Sequence, residues 1–341
     1  MKSRIKMSDI ARDFKVSTVT VSKALAGKDG VSEALRGDIR KKALELGYVY
    51  NSLPRGMLLG RHYNIGILIA GKYLGASSFY WIFYQNLLSE LKKTPYLGIL
   101  EVISLEDEAN REPPASLRAN KVDGFIVLGQ LAAPYLATLA DSGVNRVFLD
   151  FYSEIDGGDC VASNNFLGAY NLTKLLIEAG HQRIAFIGSI AATTSILDRY
   201  MGFCKVMVEA NLPYGKAIED RDASGLYPEI DLSGGHTAYV CNNDRLAGRV
   251  INQLRREGKE VPRDVSLVGF DNEGADVTGG IGVTSLEINI PAMCSLAVDL
   301  LIQRVENKGY TPRGQSFIDG KVIVKESIAA PGPGAPRSGP R

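Results

Sequence analysis

The amino-acid sequence predicts an α/β protein with a small three-helix unit at its N-terminus and a body of two parallel-sheet lobes. Before residue 50, three short helical segments alternate with turns. After residue 63, short runs rich in Val and Ile alternate with segments of helical period, which is typical of parallel strands joined by crossover helices. A chain of 341 residues has room for the small unit and two larger domains.

The N-terminal unit begins with two helices joined by a tight turn. We predict a first helix over Asp9–Phe14 with Ser8 as its cap, and a second helix that Ser17 caps and Gly27 ends. Ser32 is expected to cap a third helix with apolar residues at helical spacing: Leu35, Ile39, Ala43 and Leu46. The first two helices have the spacing of a helix-turn-helix.

The second helix separates into two faces. Its inner face is expected to hold Val21, Ala24 and Leu25, and its outer face holds Thr18, Val19, Ser22 and Lys23. Any amphipathic three-helix unit would bury the same residues, so charge decides between a solvated face and a binding face. Residues 1–63 carry 13 Lys and Arg against 6 Asp and Glu, a net +7 in a chain of total charge +1. A basic head on an acidic body favours a polyanionic partner and predicts salt-sensitive DNA binding.

Four runs of this unit resemble the DNA-binding head of the lactose-repressor (LacI/GalR) family: Met7–Ala11, Val16–Lys23, Val31–Ser32 and Leu46–Tyr48. The resemblance continues to about residue 328 and implies a dimeric, effector-controlled transcription regulator. It implies a helix-turn-helix domain over residues 1–50, a hinge over 51–62 and an effector-binding and dimerisation domain over 63–328. The body would then be periplasmic-binding-protein-like, with two Rossmann-like lobes.

The resemblance assigns roles in DNA binding to the second helix. Side chains at the start of a recognition helix face the major groove, so we expect Thr18, Val19 and Lys23 to read bases. Val19 can offer only apolar contact, and Lys23 stands where the family usually has Arg. Phosphate contacts that set the register are expected from three hydroxyl residues: Ser17, Thr20 and Ser22.

The hinge departs from the family pattern. The family segment folds into a short helix on the operator and wedges a leucine into the minor groove. Here Met57 takes the wedge position and Arg55 can reach a phosphate or the groove. Pro54 is tolerated in a first helical turn, but Gly56 costs about 1 kcal/mol in a helix. We therefore expect a larger ordering cost on DNA.

The body is expected to alternate between its two lobes. Predicted strands cover Asn64–Ala70, Gly124–Leu128, Arg146–Leu149, Arg183–Ile187, Thr237–Val240 and Val265–Phe270, with helices over Ala169–Ala179 and Asp244–Glu257. By the family likeness, lobe 1 spans about 63–161 and 288–317, and lobe 2 about 162–287 and 318–328. Ligands of such sheets lie outside the carboxyl ends of the strands.

The resemblance also indicates effector-binding residues. The runs Ala238–Asp244 and Val261–Asn272 match the family signature and set Asn243 and Asp271 at strand ends, where an amide and a carboxylate suit ligand hydroxyls. In the run Ser195–Phe203, the family's arginine corresponds to Arg199, with two parallel donors for the effector, and Ser195 precedes it.

Other effector positions differ from the family. Asn164 replaces the usual Asp, Ser78-Phe79-Tyr80 replaces the usual Asn-Pro-Phe-Phe loop, and residues 220–235 are too rich in Gly, Pro and Asp for the usual helix. We still include Asn164 and Phe79 among the effector residues. A stacking aromatic for a sugar ring is available in four places, although such clusters also form cores: Phe79, Tyr80, Trp81 and Tyr227.

Several classes of protein are disfavoured. There is no apolar run of 18 residues and no secretion signal, so we expect a cytoplasmic protein without a membrane span. The four cysteines show no C-x-x-C pairing and are expected to be buried free thiols, with no metal or other cofactor indicated. We find no G-x-G-x-x-G, P-loop, G-x-S-x-G or H-E-x-x-H, which argues against an enzyme. A tail over 329–341 is expected to be disordered and offers no heptad for tetramers, so we favour a homodimer.

The sequence thus predicts a repressor that binds a pseudo-palindromic operator in double-stranded DNA and responds to a sugar or sugar derivative held between the lobes. Two alternatives remain: a regulator with a lost or altered effector response, and a sugar-binding protein without a regulatory role.

Overall fold

The computed structural model describes residues 5–46, 48, 61–74, 79–155, 158–222 and 225–332. The chain forms two compact units, Met1–His62 and Tyr63–Arg341. The hinge residues Arg55 and Met57, together with Pro54, Gly56 and Ser78, lie outside the described residues. None of the helices in the described ranges is both long and apolar enough to cross a membrane.

The first unit, which we call the head, contains three helices around a small apolar core. They are α1 (Met7–Asp13), α2 (Thr18–Leu25) and α3 (Glu33–Glu45). The core is built from one face of each helix, as the helical spacing predicts: Ile10, Ala11, Val21, Ala24, Ile39 and Ala43.

Helix caps in the head follow the sequence with one exception. Ser17 and Ser32 each accept a hydrogen bond from the backbone N–H three residues on, at 3.0 and 3.4 Å. The prediction that Ser8 caps the first helix is wrong. That helix begins two residues earlier, at Met7, with Lys6 as its N-cap, because the Asp9 carboxylate accepts the Lys6 N–H at 2.9 Å.

The second unit, which we call the body, contains two sheets. Lobe 1 holds a six-stranded parallel sheet in the order β10-β5-β4-β3-β1-β2. Its strands are β1 (Asn64–Ala70), β2 (Leu97–Ile103), β3 (Gly124–Leu128), β4 (Asn145–Leu149), β5 (Asp159–Ser163) and β10 (Gln315–Ile318). Its helices are α4 (Phe79–Leu91), α5 (Leu105–Asn110), α6 (Ala115–Arg118), α7 (Ala133–Asp141) and α11 (Ile290–Glu306).

Lobe 2 holds a five-stranded sheet in the order β11-β9-β8-β7-β6. Its strands are β6 (Ile184–Ile187), β7 (Ala238–Cys241), β8 (Ser266–Phe270), β9 (Thr284–Glu287) and β11 (Lys321–Ile323), of which β11 is antiparallel to β9. Its helices are α8 (Asn165–Glu178), α9 (Thr194–Glu209) and α10 (Asp244–Arg256). The predicted α/β class, a helix-turn-helix head followed by a parallel-sheet body, is confirmed.

The chain passes between the lobes after β5, after β9 and after β10, because β10 pairs with β5 in lobe 1 whereas β11 pairs with β9 in lobe 2. Each lobe is therefore assembled from separate segments of the chain. The described residues of the stretch 220–235 contain no helix. All four cysteines are free and buried.

The structure corrects the prediction that the disordered tail begins at residue 329. Ala329 is fixed to lobe 2, since its N–H donates to Ser266 Oγ at 3.0 Å and its carbonyl oxygen accepts from the same hydroxyl at 3.1 Å. The His181 ring Nε2 also lies 2.9 Å from that carbonyl oxygen. These bonds order Ala329, the first residue of the predicted tail, and residues 333–341 lie outside the described part of the chain.

Candidate functional site

The outer face of α2 is the first candidate site. Thr18, Val19 and Lys23 are exposed there, and the Val19 side chain is 62 % exposed although it is apolar. Ser17 and Thr20 join through their hydroxyl groups at 2.9 Å at the start of the helix. An exposed face of short polar, apolar and cationic side chains is suited to a groove of DNA.

The ion pairs of the head also favour the outer face of α2 as a binding surface. Three cations of the head are paired with a carboxylate, in the ion pairs Arg12–Asp9 (3.6 Å), Arg36–Glu33 (3.4 Å) and Lys42–Asp13 (3.2 Å). Lys23 has no such pair among the described residues. Its ammonium group is therefore available to an external acceptor.

A cleft of about 610 Å³ between the two lobes is the second candidate site. It lies at the carboxyl ends of strands from both sheets, as expected for this architecture. Five of the predicted effector residues line it: Phe79, Ser195, Arg199, Asn243 and Asp271. The wall also contains residues that sequence reasoning did not select, among them Lys72, Tyr73, Asp150, Asp220, Arg221 and Arg249.

Arg199 on α9 is buried and held by its own lobe. Its Nε donates to Asn165 Oδ1 at 2.8 Å, and its Nη1 donates to the Asn242 carbonyl oxygen at 2.6 Å and to Asn242 Oδ1 at 3.2 Å. The guanidinium lies 4.2 Å from the centre of the Phe270 ring, a cation–π contact. Nη2 has no acceptor in the described ranges, so a single guanidinium nitrogen remains for a ligand rather than the two parallel donors expected.

Two aspartates of the cleft occupy equivalent places on facing lobes. Asp150 directly follows β4 and Asp271 directly follows β8, and both have positive φ angles, 71° and 89°. Burial raises the pKa of Asp150 to about 6, opposed by Arg199 and by the hydrogen bond that the Tyr80 hydroxyl donates at 2.9 Å. Burial raises the pKa of Asp271 to about 7, Arg199 opposes it, and the Asp150 charge adds to it.

Asp271 Oδ1 is buried and has no hydrogen-bond partner among the described residues. Such an atom is destabilising until a donor reaches it. Asp150 was missed in the sequence because no family motif marks it, although an Asp directly after an apolar strand end was a usable signal. Because they follow strands of different lobes, the Asp150 and Asp271 carboxylates form a pair of acceptors on opposite walls of the cleft.

Other predicted effector residues have structural partners. Asn243 caps α10, its Oδ1 accepting from the Leu246 N–H at 2.9 Å, so that only its Nδ2 remains for a ligand. Ser195 Oγ lies 2.9 Å from the Thr193 hydroxyl. The structure places Asn164 elsewhere: it caps α8, donates to Asp319 at 2.8 Å and does not line the cleft. The sequence could not separate a cap from a ligand at a strand-to-helix junction.

A second wall of the cleft comes from the irregular segment after residue 220. The Asp220 carboxylate accepts from Arg221 Nε and Nη2 at 3.3 and 3.2 Å and from the Ser189 N–H at 2.8 Å. These bonds outweigh burial and hold the pKa of Asp220 below its usual range. The Tyr227 ring lies close to two guanidinium groups, 5.4 Å from that of Arg221 and 5.0 Å from that of Arg249. Across the described part of the chain, no group of His, Cys, Asp and Glu is placed to hold a metal ion.

Comparison with known proteins follows the same division. Residues 6–51 match the family of bacterial regulatory proteins called lacI, and residues 173–328 match a periplasmic binding protein-like domain. The transcriptional regulator RegA of Clostridium saccharobutylicum is 29 % identical over 330 residues, 94 % of this chain and 98 % of that protein. The repressor PurR of Vibrio parahaemolyticus is 27 % identical over 320 residues, 90 % and 94 % of the two chains.

Solved structures share the fold. A lac repressor dimer bound to operator and an anti-inducer has a TM-score of 0.71 at 18 % identity, covering 96 % of this chain and 100 % of that one. A complex of the regulator CelR with cellobiose has a TM-score of 0.66 at 23 % identity, with 95 % and 100 % covered. The sequence relatives are transcriptional regulators rather than enzymes. The chain thus has a LacI-family helix-turn-helix DNA-binding domain followed by a periplasmic-binding-protein-like body.

Proposed function

We propose that this protein is a homodimeric repressor that binds a pseudo-palindromic operator. A sugar or sugar derivative bound in the interlobe cleft lowers or raises its affinity for that operator. The proposal rests above all on the exposed face of α2, where an apolar Val19 and an ion-pair-free Lys23 stand beside the helix cap Ser17. Its relatives include proteins named as repressors, which supports the sign of regulation.

Roles in DNA binding follow from chemistry. Thr18, Val19 and Lys23 are proposed to contact base edges, and a lysine gives looser discrimination than the rigid fork of an arginine. Ser17, Thr20 and Ser22 are proposed to contact phosphates, which fix the register of the helix on the duplex. Arg55 and Met57 are proposed to act in the minor groove, with the cost of ordering Gly56 included in the binding free energy.

Ligand control is proposed to act through the lobes. Arg199, Asn243, Ser195 and Asp271 belong to lobe 2 and Phe79 to lobe 1, so one ligand in the cleft would contact both. A ligand that binds one relative angle of the lobes better than another shifts the population toward that angle. In a dimer this changes the separation of the two hinges, and operator affinity with it.

Selection of random duplex DNA by the full-length protein, at 100 mM and 200 mM salt, tests the proposal. Enrichment of a two-fold-symmetric site, weakened at the higher salt, is the expected result. Enrichment of a single asymmetric site, or binding without any sequence preference, would contradict it. If neither condition gives a site and the same protein still binds saccharides, it is a sugar-binding protein without a regulatory role.

A further inference from the structure

The wall of the cleft is electrically balanced. Its cations are Lys72, Arg199, Arg221, Arg245 and Arg249, and its carboxylates are Asp150, Asp220, Asp271 and Glu273. Lys72 pairs at 3.0 Å with Glu108 just outside the wall, Arg221 with Asp220 at 3.2 Å and Arg245 with Glu273 at 3.1 Å. Arg199 acts on the charges of both Asp150 and Asp271. With these two aspartates ionised, as at pH 8, the charges of the described wall residues and Glu108 sum to zero, so a charged ligand finds no surplus charge to neutralise.

The arginines also lack an open fork for an anion. Bidentate recognition of phosphate or carboxylate needs two parallel N–H groups on one guanidinium edge. Arg221 directs Nε and Nη2 at Asp220, and Arg249 directs Nη1 and Nη2 at the carbonyl oxygens of Asp220 and Pro228, at 3.3 and 2.6 Å. Arg199 already donates from Nε and Nη1. A phosphorylated ligand would have to displace these bonds.

Among the described residues of the cleft wall, two fully buried side-chain atoms have no hydrogen-bond partner, and both are acceptors. Asp271 Oδ1 and Glu273 Oε2 are buried without a hydrogen-bond partner in the described residues, and both side chains line the cleft. An ionised carboxylate only accepts hydrogen bonds. The missing partners are therefore donors, and hydroxyl groups supply donors without adding charge.

The cleft wall also contains aromatic residues, which supply apolar surface. The Tyr80 ring lies 5.1 Å from the Tyr73 ring. Tyr73, Tyr80 and Tyr227 all line the cleft. Burial raises the pKa of Tyr73, the charge of Asp150 adds to this effect and that of Arg221 opposes it. Tyr227 is 58 % exposed and is held by two guanidinium groups. The exposed part of its ring offers apolar surface to the C–H face of a sugar ring.

The space exceeds one sugar ring. At about 30 Å³ per heavy atom, the volume of a water molecule in the liquid, a hexose of about twelve heavy atoms fills at most roughly 360 Å³. The cleft has about 610 Å³. A second groove of about 500 Å³ adjoins it and shares Tyr227 and Arg249 as wall residues.

We propose that the effector is an uncharged saccharide of at least two rings, with one ring between Asp150, Arg199 and Asp271 and the next against Tyr227. This proposal rests on the proposed function in one respect, because it takes the bound saccharide to be the ligand that controls operator binding. Contact with Tyr227 then favours saccharides of two or more rings over single sugars. The zero net charge of the cleft wall disfavours sugar phosphates.

Calorimetric titration of the full-length protein at pH 8 tests the proposal. The probes are glucose, galactose and ribose, the α- and β-linked two- and three-ring saccharides of glucose and galactose, the 6-phosphates of glucose and galactose, glucuronate, and free purine bases. We expect a neutral two- or three-ring saccharide to bind at least about ten-fold more tightly than any single ring or charged probe.

Variants identify the second ring's contact. Tyr227→Ala should remove roughly ten-fold of the affinity for the multi-ring saccharide and leave binding of single rings unchanged. Tyr214→Ala is the matched control, because Tyr214 is an exposed tyrosine (43 %) of the same lobe that does not line the cleft. It should bind like the wild type.

Several outcomes would overturn the proposal: tighter binding of a phosphate, glucuronate or purine base, equal affinity for one and two rings, no binding of any neutral saccharide, or no effect of Tyr227→Ala. This titration contains no DNA. Saccharide binding without a selected operator would refute the regulatory function alone, and a selected operator without saccharide binding would refute the ligand class alone.

Discussion

Asp150 and Asp271 show how single residues store the free energy that a ligand can release. Each follows a strand with a positive φ, a backbone conformation that costs roughly 1–3 kcal/mol for a residue other than glycine. Each also carries a buried carboxylate whose pKa is raised, to about 6 and about 7. Residues that destabilise an empty site are expected where a ligand supplies the missing partners.

The raised pKa of Asp271 predicts a pH-dependent stability. A carboxyl whose pKa is higher in the folded chain binds more protons there, so its contribution to stability is present below pH 4 and is lost as the pH rises through about 7. Asn mimics the neutral form. Asp271→Asn should therefore raise the free energy of unfolding, and more at pH 8 than at pH 5, in urea titrations of the ligand-free protein.

Asp276→Asn provides the control for this measurement, because Asp276 is an exposed aspartate on the same loop. It should leave stability unchanged at both pH values. An equal effect of Asp271→Asn at pH 5 and pH 8 would show that the carboxyl is not the titrating group.

Lys23 carries a prediction for DNA. If its ammonium group contacts a base edge, Lys23→Ala should relax the preference at one base pair of each half-site, by about 1–3 kcal/mol. Competition binding against single-base variants of the selected operator measures this. Lys28→Ala serves as the control, since Lys28 is an exposed lysine beyond α2 and should weaken binding to all sequences alike. A uniform loss for Lys23→Ala would instead make it a phosphate contact.

Helices α8 and α9 form the framework that positions Arg199. Asn165 begins α8 and holds Arg199 of α9 through its side-chain oxygen. The two helices approach so closely that a Cβ at Gly202 would collide with the Phe166 carbonyl oxygen. The absence of a side chain at Gly202 therefore sets the distance between Asn165 and Arg199.

Gly202→Ala tests this close approach. The added methyl group should force the helices apart and lower the free energy of unfolding by about 1–3 kcal/mol, as overpacked cores do. Urea unfolding followed by circular dichroism measures it. Gly215→Ala is the control, since a Cβ there meets nothing within 4 Å. Equal stabilities of the two variants would mean that the helix contact adapts without strain.

The strands and helices that the sequence predicted are those with a strong local pattern. β1, β3 and β8 are continuous apolar runs, fully buried or nearly so, and such runs are readable without a structure. β2 was missed because it is an edge strand with a half-exposed pattern, and β5 because it begins with a buried aspartate. Local patterns report burial along one segment and say little where exposure is mixed.

Sequence motifs marked part of the candidate site. Asn243 and Asp271 lie in a family signature, whereas Asp150, which sheet topology brings to the cleft, was missed. Tyr227, on an irregular segment, was one of four possible stacking aromatics, and no motif distinguished it from the others. Asn164 shows the opposite case, since its cap at α8 satisfies the residue locally. Sequence motifs therefore located lobe 2 of the cleft better than lobe 1.

Among the described residues, two hydrogen bonds join helix α9 of lobe 2 to lobe 1. The Tyr152 hydroxyl donates to Asp198 Oδ1 at 3.0 Å, and the Thr194 N–H donates to Gln130 Oε1 at 2.9 Å. Both bonds fix α9, the helix that carries Arg199, to lobe 1. A relative angle of the lobes held by so few contacts is sensitive to a ligand that adds others, because each hydrogen bond contributes only about 1 kcal/mol net.

Loss of one bond should therefore weaken the other. We predict that Tyr152→Phe speeds amide hydrogen exchange at Thr194 by roughly five-fold, since the lobes open more often once one of the two contacts is gone. Tyr170→Phe is the matched control, because its hydroxyl donates to Glu209 within lobe 2 at 2.7 Å. It should leave Thr194 unchanged. If neither variant alters that exchange, the lobe angle is fixed by packing rather than by these bonds; if Tyr152→Phe alone does, the two bonds break in the same opening of the lobes.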